Sequence, residues 1–179
     1  MADLRPSWIS IGTGIAIMDE DASLRADCGR CAGLCCVALA FDRSALFAEH
    51  KPAGAACRYL DAADRCAIHA NRAEHGFAGC AGYDCLGAGQ LVTQELFSGQ
   101  SWRDCGDGGQ AMFAAFAQAR RVQGWKQLLI TARTLRLTQV LEWRRQKLLK
   151  RLLPAAGWTR TGLAEASGAV MAGQVAAFL

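Results

Sequence analysis

Cys28-Gly-Arg-Cys31-Ala-Gly-Leu-Cys35-Cys36 places four cysteines within nine residues, in the pattern C-x-x-C-x-x-x-C-C. Two thiolates separated by two residues can grip one ion, because the intervening turn brings both sulfurs to a tetrahedral centre. Gly29 and Gly33 let the backbone fold tightly around such a centre. Adjacent Cys35 and Cys36 do not easily face one ion together, so the string calls for a second centre or a bridging role. Cys57, Cys66, Cys80 and Cys85 follow as a second set of four. The candidate metal ligands are therefore Cys28, Cys31, Cys35, Cys36, Cys57, Cys66, Cys80 and Cys85, with Cys105 outside the set. Sequential and interleaved divisions of the eight satisfy the spacing equally.

Nine cysteines could equally build a secreted disulfide scaffold, so the compartment has to be argued first. The run Ile9 to Met18 is broken by Ser10, Gly12, Thr13 and Gly14, and Asp19-Glu20-Asp21 follows where a small-residue cleavage site would stand. No stretch approaches the ~18 apolar residues of a membrane span. The expectation is a cytoplasmic protein, where thiols stay reduced and clustered cysteines signal metal or redox chemistry. The dithiol reading of Cys28-Gly-Arg-Cys31 is the weaker one, because such motifs follow a strand, whereas the preceding segment is acidic and reads as helical.

Charge and patterning divide the chain in two. Residues 1–105 carry 9 Lys+Arg against 13 Asp+Glu and all nine cysteines, whereas 106–179 carry 11 against 3. An acidic cysteine-rich half argues against nucleic acid as its partner. The reading is a lead-in over 1–27, a cysteine-rich metal-binding segment over 28–105 and a helical bundle over 106–179. Within the first half, Asp19 to Asp27 reads as helical, Val37 to Phe41 as an extended run, and Arg43 to Glu49 as a short helix capped by Asp42 and stopped before Pro52. Residues 86–109 are glycine-rich and contain the loop Gly106-Asp107-Gly108-Gly109, which reads as a hinge.

In the second half, Met112, Phe113, Phe116 and Ala119 share a face of a helix expected to end near Gly124. Leu137, Leu141, Leu148 and Leu152, widened by Leu128, Leu135 and Leu149, mark a second helix stopped at Pro154 and Gly157. A third covers Thr161 to Leu179. The fold class expected is mainly α: a metal-stapled segment with little regular structure packed on a C-terminal helical bundle.

The residues also carry a family likeness. Cys28 to Cys36, then Cys57-Arg-Tyr-Leu60, Cys66-Ala-Ile-His69, Arg72, Cys80 and Tyr83-Asp-Cys85 together resemble the YkgJ-type zinc- or iron-chelating domain, over roughly residues 25–87. The Arg-Pro usual before the third cysteine group is replaced by Arg72-Ala-Glu-His75-Gly76. The chain is also similar to cysteine-rich N-terminal segments of some bacterial pentapeptide-repeat proteins, with counterparts of Gly87-Ala-Gly-Gln90 and Trp102-Arg103, although the repeats are absent. The resemblance implies a zinc or iron–sulfur cofactor. Flagellin lysine-N-methylases share a related cysteine cluster, which implies an iron–sulfur enzyme as an alternative.

Other candidates have ordinary readings. His69, three residues after Cys66, could complete a zinc site but reads first as a packing residue, as do His75 and His50. Asp61, Asp64 and Asp84 read as turn-forming carboxylates rather than general bases. No catalytic residue is assigned, because nucleophile-elbow, P-loop and dinucleotide fingerprints do not occur. In Trp143-Arg-Arg-Gln-Lys-Leu-Leu-Lys-Arg-Leu-Leu-Pro154, the basic residues would suit nucleic acid or a membrane surface. The favoured reading is a solvated helix face whose leucines enter the core. The function expected is a metal-binding module, zinc or iron–sulfur, with a binding or regulatory role in which a protein partner is one option; whether it is an enzyme is left open. A metal store or carrier for zinc, iron or copper is the remaining alternative.

Overall fold

Met112, Phe116, Ala119, Val122, Leu129 and Ile130 recur at helical spacing and are all buried, which makes the helix that carries them the axis of the molecule. The computed structural model describes residues 22–179. In chain order the helices are α1 (Leu34–Ala38), α2 (Ala78–Ala81), α3 (Ala88–Gln90), α4 (Gln110–Thr131), α5 (Gln139–Arg151), α6 (Arg160–Ala166) and α7 (Ala169–Ala176). Among the described residues no strand occurs, only isolated antiparallel bridges between Phe41 and Lys51 and between Leu60 and Cys66. The fold is mainly α. No described helix is long and apolar enough to cross a membrane.

Several local expectations are corrected. Val37 belongs to α1, Arg43 to Glu49 forms bends, and among the described residues of the lead-in only Ala22–Leu24 makes a helical turn. The Asp19 to Asp21 part of that lead-in lies outside the described residues. The helix expected to end near Gly124 runs on to Thr131. An exposed-side glycine costs a helix only about 1 kcal/mol, and burying Leu129 and Ile130 offsets that. The leucine stripe expected to be one helix is broken over 132–138, leaving Leu135 62% exposed. The last helix is divided at Ser167-Gly168, where the Gly168 φ of −75° and ψ of 175° is extended.

Gly106 to Gly109 forms the expected turn, but the glycine-rich stretch before it holds a partly buried helix over 88–96. α3 continues as a π-helical turn over Leu91–Leu96, with Ala88, Gly89, Leu91, Val92 and Thr93 inside. These residues join Ala32 and Leu34 to α4–α7 in one apolar core. Gln123, 1% exposed, bolts the layers together, its Nε2 donating to Ser23 O at 3.0 Å and Leu86 O at 2.8 Å.

The leucines of the basic α5 do enter the core, as Leu148 and Leu149 are buried. Arg145 goes in with them. Its guanidinium donates to both Glu142 carboxylate oxygens, at 2.8 and 2.7 Å, and to Leu129 O at 3.1 Å. Hydrogen bonds from Arg145, then from Gln146, pull the Glu142 carboxyl down from 4.5 to about 2. A depressed carboxylate stabilises the fold above its ordinary pKa and loses that effect as pH falls through the native value. Glu142→Gln is therefore expected to lower stability to urea at neutral pH. The gap to the parent protein should shrink between pH 4.5 and about 2; a gap independent of pH would contradict this pairing.

Candidate metal centre

The first cysteines are set by a capped turn. Asp27 accepts from Gly29 N–H at 2.9 Å, closing the 3-10 turn Cys28–Arg30. Gly33 then takes φ 63° to start α1. A methyl group there would stand 2.6 Å from Leu60 Cδ1 and 3.0 Å from Asp64 O, so this position requires glycine. Cys35 and Cys36 occupy successive positions of α1, with their sulfurs 4.0 Å apart.

The segment from Cys57 to Cys66 folds back as a tight loop against α1. Cys57 N–H donates to Cys36 O at 2.9 Å, and Ala67 N–H to Tyr59 O at 2.8 Å. Asp61 accepts from Ala63 N–H at 2.9 Å and Arg65 N–H at 2.7 Å, which makes it a turn former. Asp64, at φ 60°, pairs with Arg103, and Asp84 accepts from Leu86 N–H at 2.7 Å. Cys80 rides on α2 directly after Phe77, whose ring meets Phe41 at 5.9 Å and Tyr59 at 5.5 Å. Cys85 precedes the turn into α3.

All eight candidate cysteines line one cavity of about 610 Å³. Cys105 stands apart, beside a smaller cavity that also touches Asp107 and Arg160. Of the histidines, His69 alone reaches the cysteine cavity. His50 Nδ1 lies 2.7 Å from Asp42 Oδ1, and His75 Nδ1 3.1 Å from Asn71 O. The thiols surround a shared space rather than a single point: among the described residues no three Cys, His, Asp or Glu side chains converge closely enough to hold an ion as they stand. All nine cysteines are free of disulfides.

Burial dominates the electrostatics of the thiols. It pushes Cys28, Cys57 and Cys80 up, and Cys31 up to about 11. The hydrogen bond between Cys35 and Cys36 draws Cys35 down to about 7 and pushes Cys36 up. Isolated thiolates are thus disfavoured at Cys28, Cys31, Cys36, Cys57 and Cys80, while a shared cation would stabilise them.

Three cations face the thiols without having been assigned a role from the sequence. Lys51 is 4% exposed, and its ammonium donates to Val37 O, Pro52 O and Ala55 O at 3.2, 3.2 and 2.9 Å. Arg65 donates to Cys28 O, Gly29 O and Cys31 O at 2.5, 2.7 and 2.9 Å, tying the later loop to the first one. Arg72 lies on the cavity wall with Tyr83, and its Nε and the Tyr83 hydroxyl are buried polar atoms without a hydrogen-bond partner. Only the positions of Arg72 and Tyr83 within the cysteine pattern marked them beforehand.

Among known proteins, the chain is 46% identical over 93 residues to the uncharacterized protein YybG of Bacillus subtilis (strain 168). The aligned stretch is 52% of this chain and 33% of that protein, so the likeness spans about a third of the relative's length. No protein-family profile matches the chain, and no solved structure matches it.

The geometry makes Gly33 the most sensitive point of the cysteine loop. Gly33→Ala is expected to cost about 2 kcal/mol or more in urea unfolding, from positive φ plus contact with the Asp64 backbone. Gly54→Ala, at φ 79° but with nothing within 4 Å, should cost only about 1 kcal/mol. Equal losses would mean that the contact with the 57–66 loop does not matter.

Proposed function

We propose that this chain is a metal-binding protein whose eight cysteines hold zinc or iron–sulfur centres, and that it acts as a binding or regulatory module. The observation that carries the reading is the convergence of eight thiols, from separate stretches of chain, on one cavity. The donor set fits the proposal: thiolates are soft ligands, and sets of four suit zinc or iron–sulfur centres. A metal bound there would supply folding energy to a segment that otherwise has little to hold it. Between α1 and α3 the chain forms a single four-residue helix and two isolated bridges, and its aromatic cluster is confined to Phe41, Phe47, Tyr59 and Phe77. The side chains around the cavity have defined tasks in this account. Arg65 fixes the backbone of the first loop, Lys51 fixes the 37–55 turn, and Arg72 offsets thiolate charge. The proposal places the protein in a reducing, cytoplasmic setting, where such thiols remain available to metal.

A second reading, an iron–sulfur enzyme, draws on the size of the cavity. At about 610 Å³ it lies within the range of small-molecule pockets, and Arg72 Nε and Tyr83 Oη lack partners on its wall. These groups could orient an anionic substrate beside the thiols.

Anaerobic purification with elemental analysis and an absorption spectrum separates the readings. A colourless protein with about two zinc ions per chain supports the module. A brown protein absorbing near about 400 nm supports the iron–sulfur reading. Protein free of metal, with its thiols fully reactive, would overturn both. Removal of metal by a chelator is expected to unfold the cysteine-rich segment while α4–α7 keep their helical signal.

A further inference from the structure

Resting on the metal reading above, we propose that the eight thiols divide in an interleaved way into two neighbouring four-thiolate centres, Cys28, Cys31, Cys35 and Cys85 in one and Cys36, Cys57, Cys66 and Cys80 in the other. Each centre would then take one soft metal ion or cluster. The contiguous string Cys28 to Cys36 is thereby split, and so is the pair Cys80 and Cys85.

Three of the inner four contact the helical core, and Cys28 joins them through its turn with Cys31. Cys31, Cys35 and Cys85 all pack against that core. A point one methyl group out from Gly89 lies 2.6 Å from Cys31 Sγ and 3.9 Å from Cys85 Sγ, so the two sulfurs share the same recess over α3. Cys28 sits one turn before Cys31, with Cys31 N–H donating to Cys28 O at 3.4 Å. The loop is fastened to the helix that follows Cys85. Gln90 Oε1 accepts from Asp27 N–H at 2.9 Å, Thr93 Oγ1 from Ala32 N–H at 3.0 Å, and Gln94 Nε2 donates to Arg30 O at 2.8 Å.

The outer group is defined by contacts that avoid the core. Cys57 N–H donates to the carbonyl of Cys36, and the Leu60–Cys66 bridge brings Cys66 back beside Cys57. Cys80 follows Phe77, which packs on Tyr59 of the same loop. None of Cys36, Cys57, Cys66 and Cys80 belongs to the core or packs against it.

α1 makes the division possible. Successive helical residues are rotated by about 100°, so Cys35 is turned toward α3 and the core while Cys36 is turned toward the 57–66 loop. With their sulfurs 4.0 Å apart, the two centres are adjacent. Arg65, which belongs to the outer loop but binds the carbonyls of the inner one, clamps them together.

Two paired variants test the division by metal content per chain, zinc and iron both counted, after anaerobic purification. Cys31→Ser with Cys85→Ser removes two ligands of one proposed centre and should leave about half the metal. Cys31→Ser with Cys36→Ser strikes both centres and should leave almost none. A sequential division predicts the reverse pattern and would overturn the proposal. A variant that unfolds outright leaves the question to the parent protein loaded with spin-active cadmium. Cysteine Hβ couplings should sort Cys28, Cys31, Cys35 and Cys85 onto one cadmium resonance and the other four onto a second. Any other sorting, or one cysteine coupled to both, rejects the division. Absence of metal from the parent in both experiments would refute the metal reading itself.

Discussion

Eight thiols around one cavity impose the constraint that the first half of the molecule has to satisfy. Burial and neighbouring groups penalise Cys28, Cys31, Cys36, Cys57 and Cys80 as free thiolates, so local compensation of charge favours the segment. The protein supplies part of that compensation. Lys51 is buried in a ring of three carbonyls, and burial lowers its pKa although the surrounding thiolates favour the cation. Arg72 opposes the rise that burial causes at Cys28 and Cys80, and helps the Cys36 hydrogen bond hold Cys35 down. In the proposed account soft metal centres supply the rest, and the loop-rich chain from Cys57 to Cys85 is held by ligation where an ordinary domain would use a larger apolar core.

The helical half serves this arrangement by giving it a floor. α4 presents Met112, Phe116 and Ala119 to the same core that receives Ala32, Leu34, Ala88 and Val92. Gln123 fixes the backbone of Leu86 from α4, immediately after Cys85. Gly89 then leaves room for the Cys31 sulfur against the backbone of α3. A helix buried on one side and open to a thiol on the other explains why a glycine stands in its interior.

The helical fold class was legible because the apolar period of 3.6 is strong after Gln110, and the cysteine set was legible because its spacing is dense. What escaped was local. The glycines of 86–109 hid a helix over 88–96: Ala88, Gly89, Leu91, Val92 and Thr93 are buried, since packing against α4 outweighs glycine's low helix propensity. Gly124 misled in the same direction, ending on paper a helix that Leu129 and Ile130 carry further. Val37 to Phe41 looked extended because its residues are apolar without period, but Leu34 and Val37 are one helical turn apart and both buried. The tasks of the cations could not be read, although Arg72 stood within the cysteine pattern. Arg65, Lys51 and Arg72 act through carbonyls and thiols brought near only by the fold, and sequence spacing carries no trace of that.

X-ray absorption at the metal edge of the anaerobically purified chain addresses the central claim most directly, because it counts the atoms bound to the metal. The account predicts a shell of four sulfur atoms, at about 2.3 Å for zinc, with no nitrogen or oxygen ligand. A shell containing imidazole or carboxylate ligands, fewer than four sulfurs, or a protein with no metal to measure would contradict it.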